Sequence, residues 1–360
     1  MAALNRRVGI IGVGFGAQVY VPAFVSEGWE VVALCSRDGQ KARKMADALG
    51  IPDSHSDPLE LIRRDDISAV GIVTPPSAHD ALSIAALEAG KHVLCEKPFA
   101  LNATRGRAMA QAARDRRKTA MVGHEFRRTP QRAFIKQLLS DGYIGRFQLC
   151  TLELFLDRYA TREPRPLSWM ARRADGGGIL GALGSHYIDG LRHWFGDVAA
   201  ASGRLLNLRP DVVDAATGRT VTAETDDAFT FTLEFVNGGT ATMVASFAAT
   251  PARGARIAVM GDEGTLMAEQ PGPNPMEDGV VVGSRHGSAL QPLPTPSQYT
   301  PFRDSRDHRL MAFRLLVRDF TRGIDEGTSP APNFDDGLKC QQVMDAIRES
   351  SETGRTIRLE

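Results

Sequence analysis

The stretch Arg7–Ala17, RVGIIGVGFGA, decides the fold of the first part of the chain. Its opening apolar run does not alternate with polar residues, which is typical of a parallel strand buried on both faces. The glycines that follow permit a sharp turn, and a helical pattern begins at about Ala17. The sequence therefore predicts a buried strand, a glycine-rich turn and a helix, in that order.

The small residues of this turn indicate what it binds. Gly12, Gly14 and Ala17 occupy the three positions of a G-x-G-x-x-G/A fingerprint. The first permits the turn, the second lets the backbone approach a pyrophosphate, and the third keeps helix and strand close. The N-terminus of the helix then offers free N–H groups to the phosphates. We predict a dinucleotide bound by Gly12, Gly14, Phe15, Gly16 and Ala17.

The end of the second strand bears on which dinucleotide binds. Ser36 stands where NAD enzymes favour Asp or Glu, and Arg37 follows it. A hydroxyl beside a guanidinium suits a 2′-phosphate, so Ser36 and Arg37 favour NADP over NAD. Asp38 keeps NAD open, and Arg37 could instead cover the adenine or cap the turn.

The first third of the chain alternates short apolar runs with longer amphipathic ones. Gly50 and Gly90 mark helix ends, and Asn102 is the expected N-cap of a later helix. This alternation predicts a parallel sheet covered on both faces, which right-handed crossovers make doubly wound. We therefore expect an α/β, doubly wound Rossmann domain over residues 1–123.

The pattern changes after about His124. Later apolar runs alternate with polar residues, and NGG at 237–239 and DEG at 262–264 mark turns. These features predict antiparallel strands with one covered face. Residues 124–360 are therefore expected to form an α+β domain with a large, mostly antiparallel sheet, serving substrate binding and oligomerisation. The segments expected outside this sheet are a helix beginning near residue 130, a loop at 290–301, and helices near Arg309–Arg322 and Asp335–Ser351.

Composition limits the partners of the chain. Its 43 basic and 43 acidic residues cancel, so no net field favours nucleic acid or an anionic membrane. No uninterrupted apolar stretch is long enough to span a bilayer. The four cysteines are far apart and form no C-x-x-C pair, which favours reduced thiols over a disulfide framework. We expect a soluble cytoplasmic protein without nucleic-acid or membrane partners.

Three further motifs occur in order along the chain: TPPSAH at 74–79, ALEAGKHVLCEKPFA at 86–100 and GGGILGALGSHYID at 176–189. Together with the glycine fingerprint they resemble the glucose–fructose oxidoreductase / inositol dehydrogenase / rhizopine-catabolism (Gfo/Idh/MocA) family. The triplet EKP at 96–98 is the most specific element, and the region 199–330 matches in pattern only.

The resemblance implies hydride transfer between a nicotinamide and a secondary alcohol or ketone of a sugar, inositol or similar polyol. The cofactor would be stretched over the first domain and face a substrate pocket on the second. The residues that the resemblance places near the nicotinamide are Thr74, Pro75, His79, Glu96 and Lys97.

Lys97 is the residue we expect to take the hydroxyl proton as hydride leaves. It follows a parallel strand at its carboxyl end, where open α/β sheets place their ligands. Pro98 fixes the chain after it, and a cis Lys97–Pro98 bond would fit such a tight feature. Glu96 could orient the lysine or the nicotinamide amide; the alternative is a surface lysine that merely ends a strand.

His186 is the second candidate for catalysis. In the family the triple glycine is commonly followed by Asp-x-Gly-x-His, and both side chains approach the substrate. Here Ala182 stands at the Asp position. The resemblance leaves His186 to relay a proton or to hydrogen-bond the reacting hydroxyl. The missing carboxylate could change the substrate, shift the pH optimum, or leave a protein that binds cofactor without turnover.

A helix from about Leu180 would place His186, Asp189 and His193 on one face. Such spacing can hold a metal, but no matching ligand set occurs elsewhere, so we predict no metal site. We expect Asp189 to orient His186, and His193 to pack beneath the pocket. The glycine run would let the backbone approach a ligand.

The remaining candidates lie at the start of the second domain. His124, Glu125 and Arg128 are close to where family members contact substrate, so with Lys97 and His186 they are the predicted substrate-binding residues. Trp169 and Arg172 are predicted to lie over the cofactor or the pocket. Each of these further candidates has an equally good structural interpretation.

Two other functions remain open from the sequence. Ala182 favours a non-catalytic dinucleotide-sensing protein, whereas Lys97 and His186 oppose it. The second is a glycosidase that oxidises its sugar transiently with a bound NAD. Whichever function applies, the antiparallel sheet of the second domain has one face that its few helices do not cover, which predicts a homodimer or homotetramer.

Overall fold

The protein is described here by a computed structural model, which covers residues 6–270 and 279–359. Two compact units make up this part of the chain. The first contains the described residues of Met1–Glu125 and Asp304–Gln341, and the second those of Phe126–Arg303 and Gln342–Glu360.

The bounds of the regular elements follow in chain order. The α-helices are α1 (Val21–Ser26), α2 (Gly39–Leu49), α3 (Pro58–Ile62), α4 (His79–Glu88), α5 (Ala103–Arg116), α6 (Pro130–Ser140), α7 (Ser185–Phe195), α8 (Leu310–Glu326) and α9 (Phe334–Thr353). The β-strands are β1 (Arg7–Ile11), β2 (Glu30–Cys35), β3 (Asp53–His55), β4 (Ala69–Ile72), β5 (His92–Cys95), β6 (Ala120–Val122), β7 (Phe147–Phe155), β8 (Arg165–Pro166), β9 (Val198–Leu206), β10 (Asp211–Val213), β11 (Thr220–Thr222), β12 (Ala228–Phe235), β13 (Thr240–Ser246), β14 (Gly254–Gly261), β15 (Gly264–Gln270), β16 (Val280–Arg285), β17 (Gln291–Leu293) and β18 (Ile357–Arg358).

The first unit is built on a parallel sheet with strand order β3-β2-β1-β4-β5-β6. Val8 and Ile10 of β1 are fully buried, as the unbroken apolar run predicts. The chain reverses its direction of winding between β1 and β4, and such switch points form crevices at the carboxyl ends of the strands. The predicted doubly wound Rossmann fold is confirmed.

Local signals for helix ends are confirmed. Gly50 adopts the left-handed conformation (φ 67°) that closes α2. The Asn102 side chain accepts a hydrogen bond from the backbone N–H of Arg105 (3.0 Å), capping α5. The start of the first helix differs from the prediction: Gly16–Tyr20 form a wider π-helical turn, and α1 follows it.

The chain returns to the first unit through α8. Phe320 packs against Phe24 and Trp29 with ring centroids 6.2 and 6.0 Å apart. The Trp29 indole also donates to the Thr321 hydroxyl (2.9 Å). Residues 304–341 thus belong with the first unit, whereas the predicted boundary placed them in the 124–360 domain. Amphipathic periodicity predicts that a helix buries one face, but not which core receives it.

The second unit contains a nine-stranded sheet in the order β17-β16-β15-β14-β7-β13-β12-β9-β18. Every neighbouring pair is antiparallel except β7 and β13. The predicted large, mostly antiparallel sheet is confirmed. One face carries buried apolar residues such as Phe229 and Leu233, and Phe195 of α7 packs there against Phe235 (ring centroids 5.4 Å apart).

Two features of the second unit depart from the prediction. Strands β8, β10 and β11 form a separate small sheet that no sequence pattern indicated. Within the predicted loop 290–301, Gln291–Leu293 form the edge strand β17, with Pro292 opposite Val282. Proline is tolerated there because an edge strand has a side that needs no N–H donor.

Candidate active site

The glycine-rich turn after β1 contains two glycines with different requirements. Gly12 has φ +118°, and a Cβ there would lie 2.2 Å from the backbone oxygen of Val73. A Cβ on Gly14 would meet nothing within 4 Å, and Gly14 is exposed. The fold itself therefore requires Gly12, whereas Gly14 keeps open a space in front of the first helical turn. An open approach to backbone at this place is what a pyrophosphate needs.

The other residues of the turn are less exposed than Gly14. Gly16 and Ala17 are buried, and a Cβ on Gly16 would lie 3.0 Å from Ile10. Phe15 is half-buried, with the Arg309 guanidinium 5.0 Å from its ring centroid. Gly16 and Ala17 thus set the approach of the helix to β1, so any contact they make with a dinucleotide runs through their backbone.

At the end of β2 the predicted ribose-binding residues are accessible. Ser36 is half-buried and Arg37 is exposed. The Asp38 side chain accepts a hydrogen bond from the backbone N–H of Lys41 (3.0 Å) and caps α2. One oxygen of the Asp38 carboxylate, the group that kept NAD open in the sequence, is therefore engaged by the helix.

His79 connects two loops of the first unit. It is fully buried, with Nδ1 3.0 Å from the carbonyl oxygen of Pro98 and Nε2 2.9 Å from that of Thr74. Burial lowers the pKa of His79, against the opposing effect of the backbone carbonyls. His79 thus braces the half-buried Thr74–Pro75 loop against the loop that carries Lys97. Its predicted role in cofactor binding would be exerted through these loops.

Lys97 and Glu96 follow β5, and the Lys97–Pro98 peptide is cis as anticipated. The Lys97 Nζ lies 3.9 Å from Glu96 Oε2, which also accepts from the Lys97 backbone N–H (3.2 Å). Tyr20, which no sequence motif singled out, donates its hydroxyl to Glu96 Oε1 (3.1 Å). A Cβ on Gly123 would lie 2.5 Å from that oxygen, so this glycine makes room for the carboxylate.

Burial raises the pKa of Glu96, with Lys97 acting in the opposite direction. Burial also raises the pKa of Tyr20, so its phenol remains a donor over the ordinary pH range. Glu125, predicted from sequence to bind substrate, is 3% exposed. Burial, followed by the charge of Glu96, raises the pKa of Glu125 to about 8, while Lys97 lowers it. We call Tyr20, Glu96, Lys97 and Glu125 the Lys97 cluster.

His186 lies in the first turn of α7, after a π-helical turn over Leu180–Gly184. Its ring is buried and stacks on Phe126, with centroids 3.8 Å apart and planes at 8°. The Arg132 guanidinium lies 4.4 Å from the centroid of the same ring. Because the His186 imidazole and the Arg132 guanidinium both lie close to the Phe126 ring, they must contact its opposite faces. The imidazole orientation is thus set by packing.

Asp189, predicted to orient His186, takes part in a buried ion pair. Arg127 Nε and Nη2 donate to its two carboxylate oxygens, each at 2.6 Å. The side chains are 6% and 1% exposed. This pair joins Arg127 to α7, one turn beyond His186. His193, further along, is half-buried, and burial followed by the charge of Arg127 lowers its pKa to about 4.

The triple glycine before α7 is explained by packing within the second unit. A Cβ on Gly177 would lie 2.4 Å from the Met170 backbone oxygen. Gly178 has φ +99°, and a Cβ there would lie 2.2 Å from Asp226 Oδ1. Asp226 Oδ2 in turn accepts from the Leu180 N–H (2.8 Å). The glycines let Asp226 reach the start of this helical segment, so the interpretation that they admit a ligand is not needed to explain them.

Comparison with known proteins assigns the family. Residues 6–124 match the oxidoreductase family with an NAD-binding Rossmann fold, and residues 136–359 match the C-terminal alpha/beta domain of that family. The chain belongs to the Gfo/Idh/MocA oxidoreductase family. The resemblance drawn from its motifs is confirmed.

Relatives of this Gfo/Idh/MocA protein include enzymes with named substrates. The levoglucosan dehydrogenase of Pseudarthrobacter phenanthrenivorans is 28% identical, with 96% of each chain covered. The scyllo-inositol 2-dehydrogenase (NADP(+)) of Bacillus subtilis is 26% identical, covering 98% of this chain and 96% of its own. A structure of levoglucosan dehydrogenase in complex with NADH and L-sorbose matches with a TM-score of 0.87 at 26% identity, covering 98% of both chains.

Four further predicted site residues of this Gfo/Idh/MocA protein are not members of the Lys97 cluster. Trp169 is half-buried in a short helical turn and Arg172 is exposed, so their cofactor contacts stay predictions. His124 is buried and Arg128 half-buried. Within residues 6–270 and 279–359, no group of three or more His, Cys, Asp or Glu side chains could hold a metal, and no helix has the length and apolar character to cross a bilayer.

Proposed function

We propose that this chain transfers a hydride between NAD(P) and a secondary alcohol or ketone carbon of a sugar, inositol or similar polyol. The observation that most supports this is the position of Lys97, which follows a parallel strand and whose ammonium lies 3.9 Å from the buried carboxylate of Glu96. Open α/β sheets bind their ligands at this edge. Relatives named for levoglucosan and scyllo-inositol dehydrogenation indicate the substrate class.

The cofactor would be held by the first unit. The turn around Gly14 would receive the pyrophosphate, the end of β2 the adenosine ribose, and the Thr74–Pro75 loop the nicotinamide end. When bound, the nicotinamide supplies or accepts the hydride. The open space at Gly14 is the feature of this structure that fits such a ligand.

Lys97 would take the hydroxyl proton in oxidation and return it in reduction, a contribution of about 10²- to 10⁴-fold for a well-placed acid–base group. Glu96 holds the lysine through its carboxylate and is itself held by Tyr20 (3.1 Å). We propose that His186 hydrogen-bonds the reacting hydroxyl, with its ring fixed by Phe126. His124, Glu125 and Arg128 remain proposed substrate contacts.

We infer a preference for NADP. Arg37 is exposed beside Ser36, and the neighbouring carboxylate of Asp38 caps α2. A guanidinium suits a 2′-phosphate, and a carboxylate suits a ribose diol. The relatives include a dehydrogenase named for NADP(+) and one solved with NADH, so both cofactors occur among them.

We further propose that the chain forms a homodimer or homotetramer through the sheet of the second unit. The face opposite α7 carries the hydroxyls of Thr151, Thr230, Thr232 and Thr242 around a shallow cavity of about 660 Å³. A broad sheet face of this kind is suited to a second copy. Light scattering at micromolar concentration is expected to show an oligomer; a monomer there would contradict it.

Hydride transfer is tested with purified protein, both dinucleotides and a panel of polyols, ketoses and anhydrosugars. Reduction of NADP⁺ by at least one polyol supports the proposal. Binding of dinucleotide with no exchange across the panel would instead support a sensing role, which Ala182 favours because it lacks the family carboxylate. Release of free sugar from glycosides with no net absorbance change would indicate a glycosidase.

A further inference from the structure

Arg309 brings a positive charge to the glycine-rich turn from a distant part of the chain. It stands directly before α8, in the segment 304–341 that belongs with the first unit. Its guanidinium lies 5.0 Å from the ring centroid of Phe15, the residue that follows the open Gly14. Arg309 Nη2 also lies 3.5 Å from the side-chain oxygen of Gln18. Arg309 is therefore packed against the turn that is proposed to receive the pyrophosphate.

The guanidinium of Arg309 is fixed on one side and open on the other. Its Nε and Nη2 donate to the two carboxylate oxygens of Asp307, at 2.9 and 2.6 Å. In the part of the chain that the structure describes, no oxygen accepts a hydrogen bond from Nη1. The side chain is 27% exposed, which leaves it accessible to a ligand. Because a guanidinium has five N–H donors, Asp307 can set its direction and leave donors for a phosphate.

The contacts of Phe15 indicate which end of the dinucleotide Arg309 faces. Phe15 packs against Tyr20 with ring centroids 6.2 Å apart, and Tyr20 donates to Glu96 (3.1 Å). These contacts lead from the turn to the Lys97 cluster, where the nicotinamide is proposed to lie. The adenosine ribose is proposed to lie at the end of β2. Arg309 is therefore placed for the phosphate nearer the nicotinamide.

The charges around Arg309 agree with this position. The hydrogen bonds with Asp307 raise the pKa of Arg309 against the effect of burial, and the charges of Glu125 and Glu96 add to the increase. The guanidinium therefore stays charged. A pyrophosphate would bring further negative charge near these two buried carboxylates, and a cation that interacts with both of them reduces the repulsion.

We propose that Arg309 is a further cofactor-binding residue, with Nη1 donating to the phosphate on the nicotinamide side of the dinucleotide. The inference rests on the proposed function only in taking NAD(P) as the ligand, and it does not depend on hydride transfer. Asp307 is the positioning residue that directs the guanidinium. The contact adds a cation from the segment 304–341 to a phosphate site that the glycine fingerprint alone had predicted.

The first test compares dinucleotide fragments by calorimetry, without substrate. Arg309→Gln should bind NADP⁺ and ADP-ribose 2′-phosphate about tenfold or more weakly than wild type, the size of a lost hydrogen bond to a charged group. Adenosine 2′,5′-bisphosphate lacks the phosphate on the nicotinamide side and should bind both proteins alike. Equal affinities of the two proteins for NADP⁺ would overturn the proposal, and a loss shared by all three ligands would contradict the choice of phosphate. NAD⁺, ADP-ribose and AMP form a parallel series without the 2′-phosphate, so the comparison applies to either cofactor.

Two further variants separate this contact from other causes of weaker binding. Arg322→Gln removes a guanidinium that pairs with Asp319 (3.0 Å) on the same helix, and it should bind NADP⁺ as wild type does. Arg309→Gln leaves Asp307 without its guanidinium partner, and that carboxylate could itself repel a phosphate. Arg309→Gln with Asp307→Asn removes both charges, and we expect the weaker binding to persist. Recovery of wild-type affinity in this double variant would overturn the contact.

A crystal structure of wild type with NADP⁺ needs no variant. Arg309 Nη1 should lie within about 3.2 Å of an oxygen of the phosphate on the nicotinamide side. A guanidinium directed away from the pyrophosphate would refute the proposal. Hydride transfer is measured separately. Weaker binding by Arg309→Gln together with no hydride transfer by wild type would refute the proposed function and leave the role of Arg309 standing, whereas hydride transfer with equal affinities would do the reverse.

Discussion

Breaking the ion pair between Arg127 and Asp189 is the strongest test of how α7 is held. Arg127→Met removes the guanidinium and leaves the carboxylate of Asp189 buried, with a side chain 1% exposed. Removing one partner of a buried pair typically costs about 3–5 kcal/mol, because the remaining charge loses its compensation. With two bonds of 2.6 Å in the native pair, we expect a loss in this range.

A double variant distinguishes pairing from packing. Arg127→Met with Asp189→Leu removes both charges while keeping apolar volume, and such replacements are often close to neutral. We therefore expect the double variant to be more stable than Arg127→Met alone. The coupling energy of the double-mutant cycle should be at least about 2 kcal/mol, within the range for residues in direct contact.

The assay follows unfolding of the second unit in urea. In a Trp29→Phe background, the remaining tryptophans, Trp169 and Trp194, both belong to that unit. Their fluorescence then reports its unfolding without a signal from the first unit. A loss below about 1 kcal/mol for Arg127→Met, the size of an exposed pair, would refute the account of this contact.

Three further predictions concern the first unit. Gly12→Ala should destabilise the protein because its Cβ would lie 2.2 Å from a backbone oxygen, whereas Gly14→Ala should unfold like wild type and lose only dinucleotide affinity. Thermal melts measure the stability of each variant, and fluorescence titrations measure its dinucleotide affinity. Equal stabilities of the two variants would contradict the distinction. Arg37→Ala should weaken NADP⁺ binding by about 1.5–3 kcal/mol, the value of a hydrogen bond to a charged group, and leave NAD⁺ binding nearly unchanged. Calorimetry with both dinucleotides measures the two affinities. Equal losses of affinity for NADP⁺ and NAD⁺ would rule out a 2′-phosphate contact. Because the pKa of Glu125 in the folded protein, about 8, is above its ordinary value of 4.5, the stability that its proton contributes is present below about pH 4.5 and is lost as pH rises through about 8. The melting temperature of Glu125→Gln should therefore rise relative to wild type between pH 5 and 9, and a constant difference would contradict the shift.

Features that depend on neighbours in sequence were predictable. The tight turn at Gly12, the left-handed end of α2 at Gly50 and the cap at Asn102 each follow from local backbone preferences. The doubly wound parallel sheet of the first unit followed from unalternating apolar runs and the handedness of crossovers. The position of Lys97 at a strand end follows from the same pattern.

Features that depend on distant partners were not predictable from the pattern. Asp226 caps the segment before α7 across 46 positions of sequence, and Tyr20 reaches Glu96 across 76. The role expected for Asp189 rested on helical spacing, which cannot show that Arg127 donates to both of its oxygens. The burial that shifts the pKa of Glu125 is a property of the folded environment, and the residue itself carries no signal of it.

The central claim is that Lys97 serves hydride transfer as the base of a dinucleotide-binding protein. The most direct measurement uses a polyol deuterated at the reacting carbon, with deuterium in the reduced dinucleotide read by mass spectrometry for wild type and Lys97→Met. We predict transfer by wild type, and a rate at least about 100-fold lower in the variant with dinucleotide affinity retained. Transfer by Lys97→Met within a few-fold of wild type would contradict the claim.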